Sequence, residues 1–223
     1  MDFAYNDEQK EIIKVVRDLV EKEIVPYAAE MDETGKLHEG LLEKLAAQGL
    51  LGVAIPEEFG GAGLDAITIA AIYEELGKGC AGVATTVAAN ALASYPVIIA
   101  GNDDQKKRYF DIINDDNLAA FALTEPGTGS DAGSVSTRAM KTEDGKGYIL
   151  NGTKCFITNG ALAEVFVVFA NTRKSGGIRG LTAFIVRKGT PGFTVGKAEN
   201  KMGIRASNTT ELIFQDCFVP VED

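Results

Sequence analysis

The stretch Phe121-Ala-Leu-Thr-Glu-Pro-Gly-Thr-Gly-Ser-Asp131 marks the point where this chain of 223 residues changes from a helical to a β pattern. Its apolar beginning predicts a strand, which runs out into a loop of glycine, threonine and serine. Loops of this composition can direct several backbone N–H groups at an anion. The glycine spacing does not match a dinucleotide-binding turn, because Gly133 comes one residue too late and no helical pattern follows. Taken alone, the loop is consistent with an anion site or with a plain connecting turn.

A second unusual segment, Asn151-Gly-Thr-Lys-Cys-Phe-Ile-Thr-Asn-Gly160, predicts a later strand. Phe156 and Thr158 are two residues apart, so the alternation of a strand places both side chains on the same face. An aromatic plane beside a hydroxyl group suits a planar heteroaromatic ring. A hydrophobic strand that ends in a threonine is the alternative, and this segment alone does not exclude it.

Upstream of both segments, the spacing of apolar residues predicts a set of helices. A capping-box pair at Asn6 and Gln9 begins the first helix, and Pro26 bends or interrupts it. Two shorter helices and a last amphipathic helix over 103–114 follow. The apolar positions of the first three helices are Ile13, Val16, Val20 and Ile24, then Leu41, Leu42 and Leu45, then Ile69, Ile72, Tyr73 and Leu76.

The stretch from Cys80 to Gly101 contains no charged residue. Its length permits a membrane span. Interspersed polar residues and the dominance of alanine instead favour a central helix that is buried on all sides, so we expect no membrane span. The small side chains leave room for something to lie alongside, either another helix or a ligand chain.

Downstream of residue 117, short apolar runs separated by turns predict a β domain. Asp144-Gly145 lies between two such runs and is a hairpin signal. Several short strands at close spacing favour a small antiparallel barrel or sandwich. The predicted fold class is therefore α+β, with an all-α helical domain at 1–116 followed by a β domain at 117–223. The apolar runs are 121–123, 148–150, 165–170, 181–186 and 212–214.

The charge and cysteine content exclude several classes of function. A formal net charge of −10 repels a phosphate backbone, so we expect no nucleic-acid partner. The three cysteines, Cys80, Cys155 and Cys217, show no metal-binding or disulfide spacing, which predicts structural thiols in a reducing compartment and no metal site. The acidic opening of the chain shows no secretory pattern, and we expect a cytoplasmic protein.

The two segments together, Thr124-Glu-Pro-Gly-Thr-Gly-Ser-Asp131 and Lys154-Cys-Phe-Ile-Thr-Asn-Gly160, resemble the paired signatures of the acyl-CoA dehydrogenase family. The resemblance covers essentially the whole chain and points to short-chain, butyryl-CoA-like members. It implies the N-terminal and middle domains only, because the C-terminal helical bundle of the family has no counterpart among the 223 residues. Four other segments agree with it: Val53-Ala-Ile-Pro-Glu-Glu-Phe-Gly-Gly-Ala-Gly63, Ile98-Ile-Ala-Gly-Asn-Asp103, Leu181-Thr-Ala-Phe-Ile-Val186 and Lys201-Met-Gly-Ile-Arg-Ala-Ser207.

The resemblance implies that FAD is the cofactor and that both segments contact it. Phe156 would pack on the flavin, at a position where many relatives have tryptophan. Thr158 would hydrogen-bond at the reactive nitrogen of the flavin and stabilise the charge that arrives with a hydride. Ser130 would approach the pyrophosphate and also lie near the acyl-CoA. The residues that the resemblance assigns to FAD are Phe121, Leu123, Thr124, Gly129, Ser130, Phe156, Ile157 and Thr158.

The implied reaction is the FAD-dependent α,β-dehydrogenation of an acyl-CoA thioester to a trans-2-enoyl-CoA. In the family, the carboxylate that removes the α proton lies in the C-terminal bundle, so we assign no catalytic base in this chain. Glu125 and Asp131 are better explained by their loop positions. Arg179 corresponds to a loop that contacts CoA phosphates in some relatives, and a solvated surface arginine fits it at least as well. The residues that would line the acyl tunnel are Thr85, Ala88, Ala89 and Leu92.

The resemblance also implies partners. Electrons usually pass to an electron-transferring flavoprotein, and the full-length protein is expected to form a homo-oligomer. Since the C-terminal bundle also closes the FAD site in the family, we expect this chain alone to retain FAD weakly or not at all and to show no turnover. Two other functions fit the sequence, namely a non-catalytic binding or interaction module that kept the scaffold, and an acyl-CoA oxidase that passes electrons to oxygen.

Overall fold

The computed structural model describes residues 4–173 and 177–223 and places a curled β-sheet domain after a helical domain. This order confirms the predicted fold class. The helices are α1 (Asp7–Leu19), α2 (Ala28–Thr34), α3 (Leu41–Ala47), α4 (Ala66–Gly79), α5 (Ala81–Ala100) and α6 (Asp103–Asn114). The strands are β1 (Ala119–Ala122), β2 (Arg138–Lys141), β3 (Gly147–Thr158), β4 (Val165–Asn171), β5 (Leu181–Arg187), β6 (Phe193–Ala198) and β7 (Thr209–Pro220).

The first helix begins and ends where its sequence signals predict. The backbone N–H of Gln9 donates to Asn6 Oδ1 at 2.8 Å, and the N–H of Asn6 donates to Gln9 Oε1 at 3.1 Å, which confirms the capping box. The α-helix passes into a π-helical turn at Val20–Ile24 and then into a 3₁₀ turn that contains Pro26. Pro26 has no N–H to donate to the preceding turn, which explains the interruption.

Helix α5 is central, but the expectation that it is buried on all sides is wrong. Ten of its positions are buried, whereas the side chain of Leu92 is 49% exposed and that of Ile99 is 81% exposed. The helix is long and apolar enough to cross a membrane by length and composition, and 56% of its most apolar stretch is buried inside the protein. The open positions lie on one helical face, which leaves a largely apolar stripe exposed along the helix.

The seven strands form one sheet in the order β1-β4-β2-β3-β7-β6, with β5 paired to β4. The sheet is mixed, because β1 and β2 each pair with β4 in parallel while the other pairings are antiparallel. The predicted hairpin at Asp144-Gly145 joins β2 to β3, with Gly145 at φ +71°. The sequence pattern did not predict β2 and β6, since both are short and β2 has one buried position while β6 has none.

Two buried asparagines attach helix α5 to strand β1. Asn90 Oδ1 accepts from the N–H of Ala119 at 2.6 Å. Asn159 Nδ2 donates to the carbonyls of Thr86 at 3.0 Å and Ala119 at 3.1 Å. One apolar core continues across both domains, from α1 and α4 to β3, β4 and β7. The helical domain therefore fixes the position of β1, whose end opens into the glycine-rich loop.

Candidate functional site

The two sequence motifs lie side by side. The backbone N–H of Cys155, in β3, donates to the carbonyl oxygen of Thr124 at 2.9 Å. This bond joins the segment after β1 to β3 three residues before Thr158, so Thr124 and the end of β3 that carries Thr158 lie together at one edge of the domain. Thr124 and Thr158 are both half-buried.

A buried ion pair lies beneath this junction. Lys154 Nζ is 2.8 Å from Glu125 Oε1 and donates to the carbonyl oxygen of Leu123 at 3.0 Å. The Lys154 side chain is fully buried, and that of Glu125 is 2% exposed. Lysine and glutamate are rarely buried so completely unless they are paired. The sequence pattern did not predict this pairing, although each motif contributes one of its two charges.

Every oxygen of the Glu125 carboxylate is engaged. Oε2 accepts from the N–H and the hydroxyl of Ser136 at 2.7 and 2.6 Å, while Oε1 accepts from the N–H of Thr137 at 2.9 Å and from its hydroxyl. Burial alone would raise the pKa of Glu125, but the hydrogen bonds from Lys154, Ser136 and Thr137 outweigh it and lower the pKa to about 2. A carboxylate so fully bonded is a structural anchor, which agrees with assigning it no role as a base.

The glycine-rich loop begins with a tight turn and then opens to solvent. Glu125 and Thr128 exchange two backbone hydrogen bonds of 2.9 and 3.0 Å across Pro126-Gly127. Gly129 and Ser130 are exposed, and within the described parts of the chain their backbone N–H groups have no hydrogen-bond partner. A Cβ atom added to Gly129 would meet nothing within 4 Å. The loop thus presents two unpaired donors to an anionic group that can approach closely.

Phe156 projects outward from a β-bulge. The register of β3 against β7 shifts between Lys154 and Ile157, and Phe156 has φ +57°. Its side chain is 64% exposed, whereas the side chain of Ile157 is buried in the core. Bulges re-aim a side chain, and this one turns an aromatic ring outward beside the half-buried Thr158.

The residues present at this edge fit a flavin nucleotide. Phe156 supplies an exposed aromatic face and Thr158 a hydroxyl group, while Gly129 and Ser130 supply backbone donors for a diphosphate. Of the other residues assigned to FAD, Phe121 and Leu123 are half-buried, and the Phe121 ring packs against Phe169 with centroids 5.1 Å apart. Ile157 can contact a ligand only through its backbone, because its side chain lies in the core.

The residues assigned to substrate fall in two places. Thr85, Ala88 and Leu92 share the open face of α5, whereas Ala89 is buried. Arg179 is exposed in the 3₁₀ turn Gly177–Gly180, and in the described residues it has no ion-pair partner. That turn packs against the end of the glycine-rich loop, since a Cβ atom on Gly133 would lie 3.4 Å from the N atom of Ile178.

Cavities are found outside the two motifs. One of about 690 Å³ opens beside β2 and is lined partly by Arg138, Lys141, Tyr148 and Arg173, none of which was assigned to a site. Phe156, Gly129 and Ser130 are instead exposed at the surface. Over residues 4–173 and 177–223, no group of three or more His, Cys, Asp or Glu side chains could hold a metal ion.

Two family models match this chain. The model described as acyl-CoA dehydrogenase, N-terminal domain, matches residues 6–114, and the model for the acyl-CoA dehydrogenase middle domain matches residues 120–217. The chain spans between 50 and 59% of the length of the curated relatives that it matches. The matched part corresponds to their helical and β domains.

Three solved structures illustrate the similarity. Butyryl-CoA dehydrogenase from Megasphaera elsdenii is 43% identical with a TM-score of 0.93, over 100% of this chain and 59% of that one. A structure described as an electron transferring flavoprotein of Acidaminococcus fermentans is 42% identical with a TM-score of 0.94, over 100% and 58%. An acyl-CoA dehydrogenase from Bacillus anthracis complexed with FAD is 39% identical with a TM-score of 0.87, over 98% and 37%.

Proposed function

Because this chain belongs to the acyl-CoA dehydrogenase family, we propose that it forms the FAD-binding and substrate-facing part of an enzyme that dehydrogenates acyl-CoA thioesters to trans-2-enoyl-CoA. The observation that carries this proposal is the hydrogen bond from the Cys155 N–H to the Thr124 carbonyl, which brings the two motifs to one edge. The similarity to a butyryl-CoA dehydrogenase supports a short acyl chain as substrate.

Each residue at this edge has a distinct part in the proposed mechanism. When bound, a flavin would accept the hydride, while the protein positions the reacting groups and stabilises the charge that develops. The Phe156 ring covers one face of a planar ring, and the N–H groups of Gly129 and Ser130 hold a diphosphate. The Thr158 hydroxyl donates a hydrogen bond where negative charge develops, which lowers the barrier.

Neither acidic side chain of the first motif is free to act as the base that removes the α proton. Glu125 is sealed by five hydrogen bonds, and the Asp131 carboxylate accepts from the Ser134 hydroxyl. A carboxylate of pKa about 2 is a poor proton acceptor near neutral pH. This chain therefore binds and orients, and the carboxylate that abstracts the α proton belongs to the remainder of a full-length enzyme.

The proposed substrate is an acyl-CoA that would bind to this same surface. The acyl chain would lie along the open stripe of α5 formed by Thr85, Ala88 and Leu92, and Arg179 would face the CoA phosphates. An electron-transferring flavoprotein would take the electrons, and a chain of a solved structure described by that name is 42% identical to this one. The full-length protein would be a homo-oligomer.

The proposal is tested by titrating this chain with FAD, adding butyryl-CoA without oxygen, and following flavin absorbance and the reduction of a dye. We expect weak, saturable binding and no dye reduction by the chain alone. Substrate-dependent bleaching is expected from the product of the complete reading frame if that frame continues beyond Asp223. Peroxide release in air would identify an oxidase instead. Dye reduction by the 223-residue chain would contradict the assignment of the base to another segment.

A further inference from the structure

Lys154 is the one charged side chain of its motif, and its ammonium group lies inside the protein. Three features converge on it: the carbonyl of Leu123 from the first motif, the carboxylate of Glu125, and the bulge that begins at its own residue in β3. Burial lowers the pKa of Lys154, and the adjacent Glu125 carboxylate counteracts part of that effect. A buried ammonium group without partners would destabilise the fold, so the contacts with Glu125 and Leu123 are needed to offset the cost of burying it.

The ion pair links three separate segments of the chain. Ser136 and Thr137, just before β2, hold the Glu125 carboxylate, and the carboxylate holds Lys154 in β3. Lys154 in turn holds the Leu123 carbonyl, on the segment that carries the glycine-rich loop. Removal of the ammonium would release Leu123 and leave the carboxylate without its cation.

Phe156 follows this same junction directly along β3. Its φ of +57° is unfavourable for a residue with a bulky side chain and persists only where the surroundings impose it. Its own ring cannot impose it, because that ring is largely exposed. The backbone is fixed on its N-terminal side by the Lys154 contacts and by the bond from the Cys155 N–H to the Thr124 carbonyl.

We propose that Lys154 is a positioning residue of the flavin site, whose ammonium group ties the 123–125 segment to β3 and thereby holds Phe156 outward in its left-handed conformation. The identity of the ligand rests on the proposed function, whereas the positioning itself concerns the ligand-free protein. If Lys154 were only structural, its replacement would lower the overall stability but would not make residue 156 more mobile in the folded state.

A single fluorescent reporter can measure this positioning, because the chain contains no tryptophan. In a Phe156→Trp parent, the tests compare Lys154→Met with the double variant Lys154→Met/Glu125→Gln. The double variant removes both charges, so it keeps the experiment informative if the single variant does not fold. The matched control is Lys188→Met, which breaks an exposed ion pair of 2.6 Å between Lys188 and Glu164.

The readouts are the anisotropy of the introduced indole and the hydrogen exchange of the Cys155 amide under native conditions. In the folded double variant we expect the Cys155 amide to exchange about tenfold faster or more by local opening, and the anisotropy to fall. The control should leave both unchanged. The positioning role would be overturned if, in a folded double variant, the exchange rate of the Cys155 amide and the anisotropy of the indole both stayed within twofold of the parent values.

Riboflavin quenching of the same indole separates this inference from the proposed function. If the positioning holds, the riboflavin dissociation constant should rise about tenfold in the double variant, since a loosened site loses preorganisation. If riboflavin fails to quench the parent, the assignment of a flavin site is contradicted, while the exchange and anisotropy measurements still decide the role of Lys154.

Discussion

Phe156 combines an unfavourable backbone conformation with an exposed aromatic ring. A left-handed conformation costs a residue with a Cβ atom roughly 1–2 kcal/mol, and Phe156 recovers little of this by burial. Such strain at an exposed residue suits a position kept for a ligand, because stability alone would favour glycine there.

Replacement of Phe156 by glycine tests this interpretation. We expect Phe156→Gly to leave the free energy of unfolding unchanged or to raise it by up to about 1 kcal/mol, and to weaken flavin binding. Urea denaturation and a riboflavin titration measure the two effects. Asn159→Gly is the matched control, because Asn159 also has a positive φ but is buried and donates two hydrogen bonds. The control should lose stability, and a similar loss in Phe156→Gly would contradict the interpretation.

Glu125 should leave a signature in the pH dependence of stability. Its folded-state pKa of about 2 lies below its ordinary value, so the carboxylate stabilises the fold above the ordinary pKa and loses that contribution as the pH falls toward 2. We expect Glu125→Gln to cost about 3–5 kcal/mol at neutral pH, because it leaves Lys154 buried without a counter-ion.

The difference in unfolding free energy between the wild type and Glu125→Gln is the quantity to follow by urea titration. It should narrow between about pH 4.5 and pH 2. Glu75, whose pKa is also lowered to about 2 by its bonds to Arg17 and Lys78, stays present in both proteins and cancels from the difference. A difference that stays constant over this interval would show that Glu125 is not the group that titrates.

At the scale of elements, helix α5 packs tightly against the β domain at Gly82. A Cβ atom there would lie 2.8 Å from Ala206 Cβ and 3.0 Å from the N atom of Ser207. We expect Gly82→Ala to lower the free energy of unfolding by about 1–3 kcal/mol through overpacking. Gly129→Ala, where the added Cβ would be free of contacts, should leave stability unchanged and weaken FAD binding. Equal stability of the two variants in a thermal melt would argue against the tight packing of α5.

The elements that sequence could predict are those with a strong local signal. The capping box at Asn6 and the hairpin at Asp144-Gly145 follow from contacts between near neighbours in sequence, and both are confirmed. The parallel pairing of β1 with β4, the short exposed strand β6 and the open face of α5 depend on distant partners. A single sequence gives no sign of those partners, because tertiary packing decides them.

At the scale of the molecule, the same distinction applies to the candidate site. Residues such as Gly129, Phe156 and Thr158 stood out by their unusual types and spacing. The Lys154–Glu125 pair did not, because its meaning lies in a contact between segments 29 residues apart. The bulge that turns Phe156 outward was not predicted either. Strict alternation along β3 predicts on which face of the strand the Phe156 side chain lies, but it does not predict the strained backbone conformation of that residue.

Both domains also contribute residues to the candidate site. Helix α5 contributes the apolar stripe and, through Asn90, the position of β1, while β3 contributes Phe156 and Thr158. A flavin that binds this surface should therefore perturb both motifs at once, whereas a ligand of the cavity beside β2 would perturb Arg138 and Arg173 instead.

The most direct measurement is a titration of the isotopically labelled chain with FAD, followed through backbone amide chemical shifts. We predict that the amides of 124–125, 127–130 and 155–158 shift together in one saturable process. Shifts confined to the cavity at Arg138 and Arg173, or no saturable shifts in either motif, would contradict a shared flavin site.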